Sequence, residues 1–592
     1  LITKNEEKTN KPLAPLTLSF LGFMVGIIAG FGAVAFRGLI AFFHNLLFLG
    51  KLSFVYNANF HTAAGPWGPW VILVPVAGAV GVVFLVKNFA PEAKGHGVPE
   101  VMDAIYYNSG IIRPIVAIVK SLASALCIGS GGSVGREGPI IQIGSSFGST
   151  LGQIIRMPLS QRITLIAAGT AGGVSATFNT PIGGLLFAIE IMLHEVSVRT
   201  LVPVVISTAT ATYIGRFFFG AYPSFIIPAL QIPTFHLLNP LVLFTYIGLG
   251  VIAGVVSAFY IKSIYLFEDF FDERFRNAYV RHMAGMFCVG IMMYFLLTHL
   301  GHYYIQGVGY STIQDVLSGK LPHAYLLLLL FLLKLLATSL TLGSGGSGGI
   351  FSPSLYMGAT LGAAYGVILK HLFPGLALSP AAFAVAGMAG LFAGATGAAV
   401  TGIVMIFEMT LDYNVILPMT LTVALGYGIR KYLSRESIYT LKLVRRGHWM
   451  PEALQVNLHY IKRVKEVMDT RFRILPAGTR ISEIMSDKEW AEGSWLLAEE
   501  SHQIVGLARK EDVMQARQPA DGQATLAEIM NKDFILVGEN DSLFDLIARM
   551  GYSHASIALV LAGSNPSPGN VRGVITNENI GESMCQTVDM FC

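Results

Sequence analysis

Glu137 is the residue best placed to do chemistry in this chain, because of its surroundings. It lies in residues 129–139, GSGGSVGREGP, within a long apolar stretch. A carboxylate embedded in a membrane segment is costly and marks a functional position. Glycine costs roughly 1 kcal/mol against alanine inside a helix, so a run this rich in glycine breaks helices. A helix restarting after the break presents up to about four unpaired N–H groups and a partial positive charge. Several such ends meeting near the bilayer midplane would hold an anion without burying a full cation, each contributing roughly 0.3–2 kcal/mol. Beside that site Glu137 would be a tethered competitor, and protonation would release the site to the anion. It is expected to be a gate, a proton carrier or both; the alternative is a structural carboxylate paired with Arg136.

The glycine run occurs twice. Residues 343–353 read GSGGSGGIFSP and match seven of the eleven positions of 129–139 at an offset of 214. A second set, Ala168-Gly169-x-Ala171-Gly172 with Gly184 and Glu190, returns 218 positions on as Ala386-Gly387-x-Ala389-Gly390 with Gly402 and Glu408. Two matches at nearly one spacing indicate a duplicated hydrophobic unit. Pro139 and Pro353 stand where a helix could begin without needing their N–H. For any single glycine the competing reading is close helix packing, as small residues permit in membranes.

The elements that must position these residues are membrane helices. Of 592 residues 53% are hydrophobic and 13% charged, against about 25% charged in ordinary globular domains. Segments 16–36, 70–86, 112–127, 201–218, 241–261, 283–297 and 326–342 read as spans. Segments 163–174, 181–192, 383–394 and 398–409 are too short and read as half-helices packed inside protein. From residue 430 onward the chain is studded with charge, so a membrane domain is followed by a soluble one. Lysines before the first span and the basic run after the last place both termini in the cytoplasm. The net charge of +4 gives no case for nucleic acid. No signal-peptide pattern opens the chain, and Leu1 in place of Met suggests a trimmed start. Cys127, Cys288, Cys585 and Cys592 lack metal-ligand spacing and are expected as free thiols in a reducing compartment. No nucleophile–base set, Walker loop or metal cluster argues for an enzyme.

At these residues the chain resembles the CLC family of chloride channels and chloride/proton antiporters. The family's GSGIP-type segment appears as Gly95-His96-Gly97-Val98-Pro99, its GREGP segment as residues 135–139, and its GxFxP segment as Gly349-Ile350-Phe351-Ser352-Pro353. Tyr439, in SIYTLK, fits the tyrosine that follows the last membrane helix. The resemblance implies an α-helical polytopic membrane protein of two inverted repeats with broken helices, forming a homodimer with one anion pathway per subunit. It implies chloride or another small monovalent anion as substrate and a bacterial inner membrane as location. Glu137 would be the gating glutamate. His96, Gly97, Gly135, Arg136, Gly138, Gly349, Ile350, Phe351 and Tyr439 would surround the anion, and Lys120 would add positive potential.

Two departures shape the functional expectation. His96 replaces the family's central serine; it could donate to an anion, carry charge, or simply fill space. Ile191 follows Glu190 where antiporters usually carry a second, proton-passing glutamate. An aliphatic side chain cannot relay a proton, so a gated anion channel is expected, with a chloride/proton antiporter as the alternative. His194 and Glu195, about one turn on, could substitute as a proton station.

The expected division is a cytoplasmic segment 1–15, a transmembrane domain 16–442 with repeats at about 70–218 and 283–430, a linker 443–463, and two α/β units in 464–592. Those units resemble a pair of CBS domains, a module that often binds adenine nucleotides. Asp512 in the first and Thr576 in the second stand at nucleotide-binding positions, but neither copy has the full motif. The tail is either a nucleotide sensor or, the favoured reading, a dimerising scaffold. No cofactor is required for transport on this reading, and a nucleotide-sensing membrane regulator is the rival of another class.

Overall fold

The computed structural model describes residues 12–193, 196–226, 240–376, 378–448, 462–486, 494–515, 524–553, 555–563 and 565–588. His194 and Glu195 lie outside them. The chain divides into two compact units, Leu1–Leu454 and Gln455–Cys592.

In the first unit the elements run α1 (Pro15–Leu49), α2 (Leu73–Phe89), α3 (Val98–Tyr106), α4 (Ile115–Gly129), α5 (Glu137–Ile154), α6 (Leu159–Phe178), α7 (Pro181–Phe187) and α8 (Val198–Phe219). The same series then returns: α9 (Pro240–Arg274), α10 (Ala278–Leu300), α11 (Tyr310–Leu317), α12 (Ala324–Gly343), α13 (Phe351–Leu372), α14 (Pro380–Thr396), α15 (Ala399–Thr410) and α16 (Ile416–Leu433). A short α17 (Thr440–Val444) follows. α1 packs on α6 and α8, and correspondingly α9 packs on α14 and α16. The duplication therefore reaches α1 and α9, beyond the segments that the sequence matches cover.

Among the described residues six helices are long and apolar enough to cross a membrane: α1, the stretch Gly68–Phe89, α8, Leu241–Arg274 within α9, α10 and α12. Large apolar side chains such as Phe20, Phe31, Phe84 and Phe259 are exposed on them, as a lipid-facing surface requires. Of residues 112–127, read as a span, only those from 115 on are helical, in α4, a 15-residue helix. Pro114 precedes it and the glycine run ends it, leaving it too short for a plain crossing. Residues 163–174, read as a half-helix, lie in α6, which runs for 20 residues. Its glycines serve packing rather than breakage. A Cβ on Gly144 or Gly169 would come within 2.1 Å of the other's carbonyl oxygen, so α5 and α6 cross backbone to backbone. Gly358 and Gly387 repeat that crossing between α13 and α14 at 2.3 Å.

The second unit contains two sheets of one design. β1 (Phe472–Pro476) pairs parallel with β2 (Trp495–Glu500), which pairs antiparallel with β3 (Gln503–Arg509). β4 (Ile535–Gly538), β5 (Ile557–Leu561) and β6 (Val571–Thr576) repeat the arrangement. Each copy's entry segment packs on the other copy. Val467 and Met468 join the core around Val537 and Leu543, while Ile529 and Met530 join the core around Leu496 and Ala508. Gly506 leaves room for Met530, which a Cβ there would strike, and a Cβ on Gly573 would press on Asp469 O at 2.7 Å and crowd Met468 at 3.1 Å.

Candidate functional site

The two glycine runs meet at the centre of the first unit. Gly135 N–H donates to Gly349 O and Gly349 N–H donates to Gly135 O, both at 2.6 Å. A parallel bridge joins Gly95 to Ser347. Reciprocal bonds of this kind are what a two-fold relation between the repeats produces.

Four helix N-termini are thereby brought together: α3, α5, α11 and α13. None has a side-chain N-cap, whereas Ser197, Asn277 and Ser379 cap α8, α10 and α14. Gly97 and Gly309, at φ +84° and +76°, turn the chain into α3 and α11 in a conformation that disfavours other residues. A Cβ on Gly138 would lie 1.9 Å from His96 O, so the start of α5 is pressed against the loop before α3.

Glu137 lies at the start of α5 and is 2% exposed. Its carboxylate reaches the N-terminus of α13. Ser352 N–H donates to it at 3.3 Å and Tyr310 OH at 3.1 Å, and the Ser352 hydroxyl donates as well. Ser352 Oγ also meets Tyr310 OH at 3.0 Å, closing a three-membered polar cluster. Arg136 forms no ion pair with Glu137 among the described residues. Its guanidinium lies over the rings of Tyr310 and Phe178, at 5.0 and 5.7 Å.

The remaining candidates fall in three places. Ile350 is the N-cap of α13 and Phe351 its first residue, both buried, and their N–H groups meet no protein acceptor among the described residues. His96 has not swung away: it is 3% exposed, its ring centroid is 6.0 Å from that of Tyr439, and its Nδ1 is buried without a partner among the described residues. Lys120 is fully buried and donates to Ala93 O at 3.0 Å and Gly95 O at 2.7 Å, fixing the loop that carries His96. Glu190 and Ile191 lie apart from this cluster. Glu190 accepts from Val400 and Thr401 N–H at 2.9 and 2.8 Å, capping α15. Ile191 is buried in a short π-helical turn, Ala188–Met192.

The roles of Lys334, Glu408 and Tyr310 were not read from sequence, although Glu408 was matched there to Glu190. Lys334, 214 positions after Lys120, donates to Ile305 O at 3.0 Å and Gly307 O at 2.8 Å, the counterpart of the Lys120 bonds. Glu408 caps α7 through Ile182 and Gly183 N–H, as Glu190 caps α15. The 214-residue offset applied to Lys120 would have exposed Lys334, and a slightly shorter one, 212, carries Gly95-x-Gly97 onto Gly307-x-Gly309. Tyr310 then follows as the residue beside Gly309.

A family model described as voltage gated chloride channel matches residues 77–431, and a CBS domain model matches 526–582. The chain belongs to the CLC family. A ClcB-like chloride channel protein of Ralstonia nicotianae is 32% identical over 432 residues, covering 71% of this chain and 95% of that protein. The H(+)/Cl(-) exchange transporter ClcA of Vibrio cholerae is 33% identical over 449 residues, covering 74% and 91%. A slow cyanobacterial Cl-/H+ antiporter aligns with a TM-score of 0.63 at 25% identity, over 73% of this chain and 98% of its own. A eukaryotic CLC transporter, 19% identical with a TM-score of 0.62 over 95% of this chain, shares the fold. The protein is an integral membrane anion transporter of this family with a C-terminal CBS pair, and not an enzyme.

The expectation of a gated channel is corrected by these comparisons, because exchange is the activity named for the ClcA relative and the cyanobacterial neighbour. The inference from Ile191 failed for a physical reason. It made one aliphatic side chain decide a property that need not depend on that position alone, and a second carboxylate, Glu137, is buried in the same unit.

Proposed function

We propose that the protein exchanges chloride for protons, with Glu137 as the group on which the two ions compete. The observation that carries this reading is the seat of the Glu137 carboxylate. It takes hydrogen bonds from Ser352 N–H and from the Ser352 and Tyr310 hydroxyls at the N-terminus of α13, where a small anion would take the same bonds. Protonated, the side chain loses the charge that holds it there and yields to chloride; when the anion leaves, the carboxylate returns after releasing its proton. Each exchange thus moves a proton one way and an anion the other. Ile350 and Phe351 N–H and the side chains of His96 and Tyr439 receive the anion on the far side. Gly135 and Gly349 hold the two repeats together, Gly97 and Gly138 permit the close approach, and Lys120 steadies the entry to α3.

The protein works on this reading as a homodimer in a bacterial inner membrane, with both termini cytoplasmic. For the CBS pair the scaffold reading is favoured by two hydrogen bonds. Asp512 accepts from Arg509 N–H at 3.0 Å and Asn579 from Thr576 N–H at 3.0 Å, so each acidic or amide group closes its own turn. Full-length protein should accordingly show no thermal stabilisation by ATP or AMP; a shift of several degrees would make Asp512 and Thr576 parts of an adenine-nucleotide site.

The test of exchange is reconstitution in liposomes with a chloride gradient and no initial pH gradient, voltage being clamped by an ionophore. Uphill proton movement is expected, abolished in Glu137→Gln. Rapid chloride loss with no proton movement overturns exchange.

A further inference from the structure

Two adjoining cavities, of about 390 and 410 Å³, lie behind the Glu137 cluster. Both are lined by Arg37, Tyr56, Ala58, Arg136, Phe218 and Phe219, and neither lining contains an Asp or Glu. Tyr310, which hydrogen-bonds Glu137, lines the second cavity, so the space reaches the back of the gate.

The two arginines are short of partners. The Arg37 guanidinium stacks 3.8 Å over the Phe219 ring and meets no acceptor among the described residues. Arg136 is 7% exposed; among the described residues its Nε is buried without a partner, and its guanidinium makes one hydrogen bond, a long 3.5 Å contact with Thr177 O. Stacking satisfies the face of a guanidinium and leaves its N–H edge open to an acceptor. Two cations lining the same cavities, with no Asp or Glu among the described lining residues, repel each other and favour an anion there.

We propose that Arg37 and Arg136 form a capture site for the transported monovalent anion, loaded before Glu137 gives way. Arg37 is in the C-terminal half of α1, so the chamber opens at the face reached by the Leu49 end of that helix. The site raises anion concentration at that one face and contributes nothing at the other. It rests on anion transport, not on proton coupling.

The experiment measures chloride dependence of the transport current in planar bilayers, each face being perfused separately. In Arg37→Gln the half-saturating chloride should rise about tenfold at one face only, the size expected for loss of local electrostatic focusing. Saturating chloride should overcome the defect, added impermeant salt should shrink it, and Arg37→Lys should recover most of the affinity. The Arg37 guanidinium has no hydrogen bond to lose among the described residues, and a thermal midpoint matching the parent protein will show that the variant is folded. An unchanged half-saturating chloride, or an equal rise at both faces, overturns the proposal. Because chloride current is read directly, a protein that moved chloride without protons would refute exchange and still decide this site.

Discussion

The carboxylate of Glu137 is held by hydroxyl and amide donors rather than by a cation, and this gives its neighbours predictable roles. Ser352→Ala and Tyr310→Phe each remove a donor that favours the charged side chain. Protonation then becomes easier, so the flux–pH curve should move to higher pH by up to about one unit, about 1.4 kcal/mol, without change of shape. Stopped-flow chloride flux across a pH series would show it, and a curve left in place would take these hydroxyls out of the gate. Glu137→Gln should flatten the curve. His96→Ser should change anion selectivity or pH response, since the ring lies buried beside Tyr439; identical behaviour would leave His96 as filler. Glu137 was legible because its glycine context is local in sequence. Arg37 was not, because nothing in the sequence brings it to Arg136, 99 positions away. Ile191 was legible and misleading, since a single residue type was asked to decide a property shared by several groups.

At the scale of elements, glycine does two jobs that sequence alone does not separate. In residues 129–135 and 343–349 it breaks helices, and at Gly144, Gly169, Gly358 and Gly387 it lets unbroken helices touch. Periodicity reads both as interruption, which is why α6 was read too short. Gly144→Ala should lower stability by about 1–3 kcal/mol, because its Cβ would press on backbone that cannot rotate away. Gly428→Ala, on α16 with nothing within 4 Å, should be neutral or stabilising by up to about 1 kcal/mol. Thermal midpoints in detergent would check the pair, and equal effects would deny the packing role. Lys120 and Lys334 make matched bonds to two carbonyls each, so Lys120→Met and Lys334→Met should cost similar amounts, about 2–3 kcal/mol, by stranding those oxygens.

Across the whole molecule the same solution appears at two sizes. The membrane unit joins two repeats through bonds that each gives the other, and the CBS pair joins two sheets through entry segments that each lays on the other. The duplication was legible from residue matches, as was a helical membrane domain followed by a C-terminal CBS pair. The reciprocity was not, because it lies in which copy a residue touches, and both copies offer the same residue types. Glu190→Gln and Glu408→Gln should destabilise the membrane unit to similar extents, about 1–2 kcal/mol each, by weakening charge-assisted caps on opposite repeats. Unequal losses would show that the two caps are not equivalent.

Those crossed caps also govern how the chain can be made. α7 leaves the ribosome more than 200 residues before Glu408, the side chain that closes its N-terminus. Until then the Ile182 and Gly183 amides lack the acceptor they have in the folded chain. The first half must therefore wait for the second, and a ribosome that stalls between α8 and α9 leaves a fragment marked for removal. Halves made from two separate messages in one cell should rescue each other, while either alone should disappear.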